Sequence, residues 1–318
     1  MASGFTNTVT TNNHITAAGS DWYWTVCSVM TVSAFGFMIH SFFKPRSQRL
    51  FHYLNATVCV VAAVAYFAMG SNLGWTAIEV EWLRSDAQVH GNLRQIFYVR
   101  YIDWFITTPL IVAQLLLTAG LPTPTILYTL VMTEVVVING LVGALVKSSY
   151  KWGMFHLQFS HQSRTRRTNS DGTGFFTFGA VAFFFIAFTI LYDGRAYARV
   201  LGADVLRIVN ILAVWTTLLW TVYPIIWGVS EGGNIIPPDS EAVSYGILDL
   251  LTKPVFGAVL IWGLRTVDLE RLGIHTIDNN PRVRGAATAP KTEKDAEAAA
   301  ATNGVSAPAA DPTPETAV

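Results

Sequence analysis

Seven long apolar stretches dominate this chain, running Trp22–Phe43, Leu50–Gly70, Leu93–Thr118, Pro122–Val146, Phe175–Tyr192, Val205–Val229 and Glu241–Arg265. A hydrocarbon core about 30 Å thick takes roughly 20 helical residues to cross. Inside it a helix satisfies its own backbone donors and acceptors, so runs of this length predict membrane-spanning helices. The expected fold class is therefore all-α, a seven-helix membrane bundle. Charged residues make up 13% of the 318, against about a quarter in a soluble domain. The 21 basic and 21 acidic residues cancel, which leaves no global positive field to follow nucleic-acid phosphates. The lipid bilayer, not nucleic acid, is the expected partner. Cys27 and Cys59 both fall in apolar blocks and read as packing residues rather than a disulfide or a metal site.

Three regions follow. Residues 1–20 are polar, lack Lys and Arg, and carry no signal-peptide pattern; they read as an outer N-terminal segment. Residues 21–270 form the bundle. Residues 271–318 turn to Ala, Pro, Thr, Glu and Lys, too little apolar surface to offset ordering entropy, and read as a disordered tail. Basic residues in short loops favour the cytoplasmic side. Lys44, Arg46 and Arg49, then Arg195, Arg199 and Arg207, then Arg265, Arg271, Arg282 and Arg284 share one side. The loop Ser71–Asn92, with Glu79, Glu81 and Asp86 against Arg84, takes the other. The expectation is a multi-pass protein of the plasma or an internal membrane, N-terminus outside and C-terminus cytoplasmic. Residues 154–173 break the pattern by placing Arg164, Arg166 and Arg167 outside. They read as a polar insertion that surface loops accept at small entropic cost, with no function assigned to it, His156 and His161 included.

Ionisable groups at membrane depth are costly and mark functional pathways. On the third stretch Arg100, Asp103, Thr107 and Gln114 are spaced by three, four and seven residues, a polar stripe along one helical face. On the seventh, Asp249 precedes Lys253 by four, one turn away on the same side. A buried ion pair that only locks helices is one account, although such pairs stabilise weakly. The other is a desolvated amine that condenses with an aldehyde to a Schiff base. Asp103 and Asp249 then serve as counterions, kept ionised by Arg100. Trp104, with Trp220, Tyr223 and Trp227 around Pro224, would supply aromatic walls for such a group, although an aromatic stripe taken alone reads as core packing.

Three stretches, RYIDWFITTPL from Arg100, WTVYPIIWGVSEGG from Trp220 and LDLLTKPVFG from Leu248, resemble the microbial rhodopsins, the retinal-binding family that includes bacteriorhodopsin, and its fungal branch in particular. Weaker echoes lie at Phe51–Met69 and Asn139–Leu145, so the likeness covers about residues 20 to 270. It implies all-trans retinal bound covalently at Lys253, with Asp103 the proton acceptor and primary counterion and Asp249 the second. Arg100 would steer the released proton outward. Thr107 would hydrogen-bond Asp103, and Tyr66 and Tyr223 would join the same network. The pocket would be lined by Trp104, Thr108, Ile111, Val136, Gly140, Phe176, Trp220, Tyr223, Pro224 and Trp227. Glu231 and Glu241 would be the outer proton-release pair, sharing a proton.

Two departures stand out. Where outward pumps of the family carry an acid, this chain has Gln114, and an amide cannot hold and donate a proton. An amide-to-amide contact with Asn55 is expected, with slow reprotonation. The second departure is the insertion: removing about twenty residues joins the KWG motif at Lys151 to FFTFG at Phe175, as translation of an unspliced intron would produce. The function implied is a slow light-driven outward proton pump, with a sensory photoreceptor as the alternative. A retinal-free scaffold or chaperone is the rival from another class; Lys253 speaks against it. The expected protein is a transporter or photoreceptor rather than an enzyme, with protons and a possible homo-oligomer as partners. The signalling partner is unknown.

Overall fold

The computed structural model describes residues 11–80, 91–146 and 175–274, all within the compact unit Met1–His275. Seven helices in it are long and apolar enough to cross a membrane: α1 Ala17–Phe42, α2 Leu50–Gly70, α3 Tyr98–Ala119, α4 Thr123–Leu145, α5 Phe175–Leu201, α6 Ala203–Gly232 and α7 Pro238–Thr266. Consecutive helices pack side by side, and α7 returns against both α1 and α2. The bundle is a seven-transmembrane-helix protein. Its outward faces carry exposed Val32, Phe35, Val64, Phe184 and Leu218, while Arg94, Arg100, Asp103, Gln114, Asp249 and Lys253 are buried. Apolar outside and ionisable inside is the distribution a lipid solvent imposes.

The structure moves three boundaries of the sequence reading. Leu93–Ile96, expected as the start of the third helix, is a strand, β2, paired antiparallel with β1, Thr76–Glu79. Helix α3 starts only at Tyr98. The fifth helix runs on to Leu201 through a widened π turn at Thr189–Asp193, where Asp193 and Arg195 end the apolar run but not the backbone ladder. The seventh begins at Pro238, because proline suits a first helical position whose N–H has no partner anyway. The insertion at 154–173, the acidic loop residues Glu81 and Asp86 with Arg84, residues 1–10 and the tail from 275 lie outside the described residues.

Candidate functional site

Helix α7 is interrupted at its most polar point. Pro254 lacks an N–H and breaks the regular ladder, and Leu251–Val255 adopts a π turn, a distortion frequent at functional sites. Trp215 on α6 donates to the carbonyl of Leu251 at 3.2 Å, satisfying a group at that turn. Lys253 is 2% exposed. Its Nζ donates to Asp103 Oδ2 and lies 3.1 Å from Asp249 Oδ2. Asp249 is also held by Tyr66 OH at 2.8 Å, Tyr223 OH at 2.7 Å and Trp104 Nε1 at 3.3 Å. Asp103 Oδ1, by contrast, has no hydrogen-bond partner among the described residues. One carboxylate is saturated with donors and the other keeps a free acceptor beside the amine.

Thr107 falls on the expected face; its hydroxyl donates to the backbone carbonyl of Asp103 at 2.8 Å and also lies beside the carboxylate. The carbonyl one turn back is the nearest acceptor for a threonine inside a helix. Around the amine, Trp104 meets Tyr223 edge-on at 5.3 Å. Trp227 stacks on Phe176 at 5.7 Å and donates to the carbonyl of Gly140 at 3.2 Å. Gly140 leaves room there: a Cβ on it would stand 3.3 Å from the Tyr101 ring. Ile111 is buried in the main apolar cluster, and Val136 and Trp220 pack against it. Thr108 and Pro224 are half-buried.

At one end of the bundle lies a second charged cluster. Arg100 is fully buried and turns away from Asp103: Nη1 donates to Glu241 at 2.6 Å and Glu231 at 3.3 Å, and Nη2 to Tyr23 at 2.8 Å. Its long side chain reaches other helices, so proximity to Asp103 in sequence does not become contact. Glu231 also accepts from Tyr101, and Glu241 from Arg94 at 2.6 Å. The two acids are thus joined through Arg100 Nη1. Tyr245 lies under the same guanidinium, 4.4 Å from it. Sequence reasoning missed Arg94, Tyr23, Tyr101 and Tyr245. The signal available for Arg94 was a second arginine on the face that the loop charges assign to the outside.

In the other half of the bundle the expected amide pair does not form. Asn55 donates to the Phe51 carbonyl at 2.8 Å, and its oxygen faces the bare Cα of Gly257. Both polar atoms of Gln114 are buried without a partner among the described residues. Asn55 satisfies its donor within its own helix, which takes it away from Gln114.

Residues 17–267 match the family described as Bacteriorhodopsin-like protein. The chain belongs to the bacteriorhodopsin-like family. Among fungal opsins, it is 50% identical over 270 residues to the Opsin-like protein carO of Fusarium fujikuroi, covering 85% of this chain and 81% of the relative. Among solved structures it is similar to a light-driven proton pump from Leptosphaeria maculans, at 30% identity with a TM-score of 0.69 over 79% of this chain and 97% of the other. The light-driven proton pump rhodopsin of Coccomyxa subellipsoidea is 31% identical, with a TM-score of 0.68 over 79% and 98%. Bacteriorhodopsin-like proteins bind retinal, and this opsin's residues fit that group. A buried primary amine stands beside an acid with an orphaned acceptor atom, in aromatic surroundings.

Proposed function

We propose that this opsin carries all-trans retinal on Lys253 and acts as a slow light-driven outward proton pump. The observation that carries the reading is the Lys253 amine held in the bundle between the carboxylates of Asp103 and Asp249. Bound there, retinal supplies visible-light absorption and a light-driven change in the proton affinity of the linking nitrogen. Asp103 receives the proton of Lys253 Nζ at its carboxylate, whose Oδ1 makes no well-formed hydrogen bond among the described residues. Asp249 accepts from Tyr66, Tyr223 and Trp104, which hold its carboxylate beside Lys253 Nζ meanwhile. In a low-dielectric interior these charge interactions outweigh their strength in water. Arg100 moves charge between Asp103 and the outer acids, and Glu231 with Glu241 releases the proton. Trp104, Thr108, Ile111, Val136, Gly140, Phe176, Trp220, Tyr223, Pro224 and Trp227 shape the cavity; Thr107 steadies the backbone at Asp103.

In this proposal residues 1–20 lie outside, 21–270 form the bundle, and 271–318 are a cytoplasmic tail, in the plasma or an internal membrane. A homo-oligomer fits the fold by analogy. Gln114, which cannot donate a proton, favours the second reading, a sensory photoreceptor without efficient transport. The test begins with all-trans retinal added to the purified apoprotein. A visible band appears that Lys253→Ala removes; no band in the parent chain rejects both light-driven readings. Illuminated cells then acidify their medium slightly or slowly, and a protonophore abolishes the change. A stable band without any pH change assigns the sensory role.

A further inference from the structure

The end of the bundle remote from Arg100 holds a feature that the proposed pump does not use. His40, exposed near the end of α1, and His52, 5% exposed on α2, stack with ring centroids 5.0 Å apart. They share one hydrogen bond, His40 Nδ1 to His52 Nε2 at 2.8 Å. Both line an open cleft of about 920 Å³ between α1, α2 and α7, whose wall also includes Phe51 and Pro254. Pro254 is the neighbour of Lys253, so the cleft reaches the turn that carries the amine. His52 Nδ1 is buried and makes no well-formed hydrogen bond among the described residues. The backbone carbonyl of Gln48 lies beside this ring.

From His52 a polar column continues up α2. His52, Asn55, Cys59 and Tyr66 are spaced by three, four and seven residues, which puts them on one face, and all four are buried. Asn55 packs against Gly257, one turn beyond Lys253 on α7. Tyr66 ends the column on Asp249. On α3 both unsatisfied atoms of Gln114 belong to the same half of the bundle. Polar groups in oil that lack protein partners are expensive unless hydrated. Gln114 therefore offers a site for water in the half of the bundle that separates the histidine pair from Lys253.

We propose that His40 and His52 form the proton-uptake relay of this opsin, taking the place of the acid that Gln114 replaces; the proposal rests on the retinal-bound reading of Lys253. A proton from the cleft enters at His40 Nε2. The shared proton passes from His40 Nδ1 to His52 Nε2, and the proton on His52 Nδ1 leaves inward toward Lys253 Nζ. Each imidazole gains one proton and loses one, so the pair ends with its charge unchanged and its tautomers exchanged. Rotation of the two rings or the next transfer resets them. Imidazole suits this work because one ring nitrogen can accept a proton while the other gives one up. The charged groups around the pair are Lys44 and Arg49 from the α1–α2 turn and Arg265 and Asp268 from the end of α7.

The experiment uses the full chain in lipid nanodiscs with His40→Gln, at an exposed position, and His52→Gln. In both variants the visible band and the light-driven protonation of Asp103, read as a carboxyl infrared band, stay as in the parent. Dark recovery slows at least about tenfold, and added imidazole, small enough to enter the cleft, restores it. In a Gln114→Asp background, where an acid again serves, loss of His52 no longer slows recovery. Recovery at the parental rate overturns the relay, as does slowing that imidazole leaves untouched. A second readout needs no pigment: nitrogen-labelled apoprotein shows a scalar coupling across the His40–His52 hydrogen bond that His40→Gln abolishes, and its absence in the parent overturns the pairing. Failure to form any visible band rejects the retinal reading instead, with the coupling still deciding whether the pair exists.

Discussion

Glu241 joins both arginines of the charge cluster around Arg100, and its neutralisation should be costly in a way that a second substitution repairs. Arg94, Arg100, Glu231 and Glu241 are formally neutral together once the acid pair has given up its proton, and no side chain among them is more than 3% exposed. Glu241 accepts from both arginines at 2.6 Å. Glu241→Gln keeps the shape and removes the charge, leaving two guanidiniums to share Glu231, whose nearest approach to Arg100 is the longer 3.3 Å. Removing one partner of a buried pair costs about 3–5 kcal/mol, because the remaining charge is buried and uncompensated. At 1.4 kcal/mol for each factor of ten, the unfolding constant rises by roughly two to three and a half powers of ten. Removing Arg94 as well restores neutrality. The double variant Arg94→Met with Glu241→Gln therefore loses less stability than Glu241→Gln alone, since replacing a whole buried pair is often neutral. Equilibrium unfolding in mixed detergent micelles, followed by circular dichroism, measures all three. A loss below about 1 kcal/mol for the single variant, the figure for solvent-exposed pairs, refutes the reasoning. So does a double variant whose losses add.

Two further outcomes are expected. Gln114→Asp, which puts a proton-holding group where the present amide has no partner, speeds dark recovery by about tenfold or more; flash photolysis checks it, and an unchanged rate removes the role given to that position. Gly202, at φ +127° between α5 and α6, lies where a Cβ is strained and would also stand 2.8 Å from the Arg271 guanidinium. Gly202→Ala should lower stability by about 1–3 kcal/mol, read as an earlier thermal transition, with an unshifted transition as the contrary result.

The seven spans and the Lys253 centre were legible in the sequence for one reason: a charge inside an oily run is conspicuous wherever it stands. Asp249 and Lys253 could be paired from their four-residue spacing, which the π turn at Leu251–Val255 does not undo, and Asp103 stood out as the buried acid of α3, which the structure brings to the same amine. Periodicity along one helix says nothing about where a long side chain ends. Arg100 sits one turn from Asp103 yet reaches Glu241 on α7 and Tyr23 on α1, and that choice is made by packing between helices. Tyr23, Tyr101 and Tyr245 were hidden for a related reason. A phenol in an apolar run looks like core, and only the geometry shows a hydroxyl aimed at a guanidinium or a carboxylate. The strand at Leu93–Ile96 was hidden by its partner's distance, since Thr76–Glu79 lies across a loop and sheet pairing leaves no local period to read. The amide pair failed differently: Asn55 and Gln114 face the same half of the bundle, but a helix offers Asn55 an acceptor four residues back that no partner on another helix can match for proximity. Local satisfaction took the donor, and the unsatisfied amide of Gln114 is the reason to look for another proton carrier at that end of the bundle.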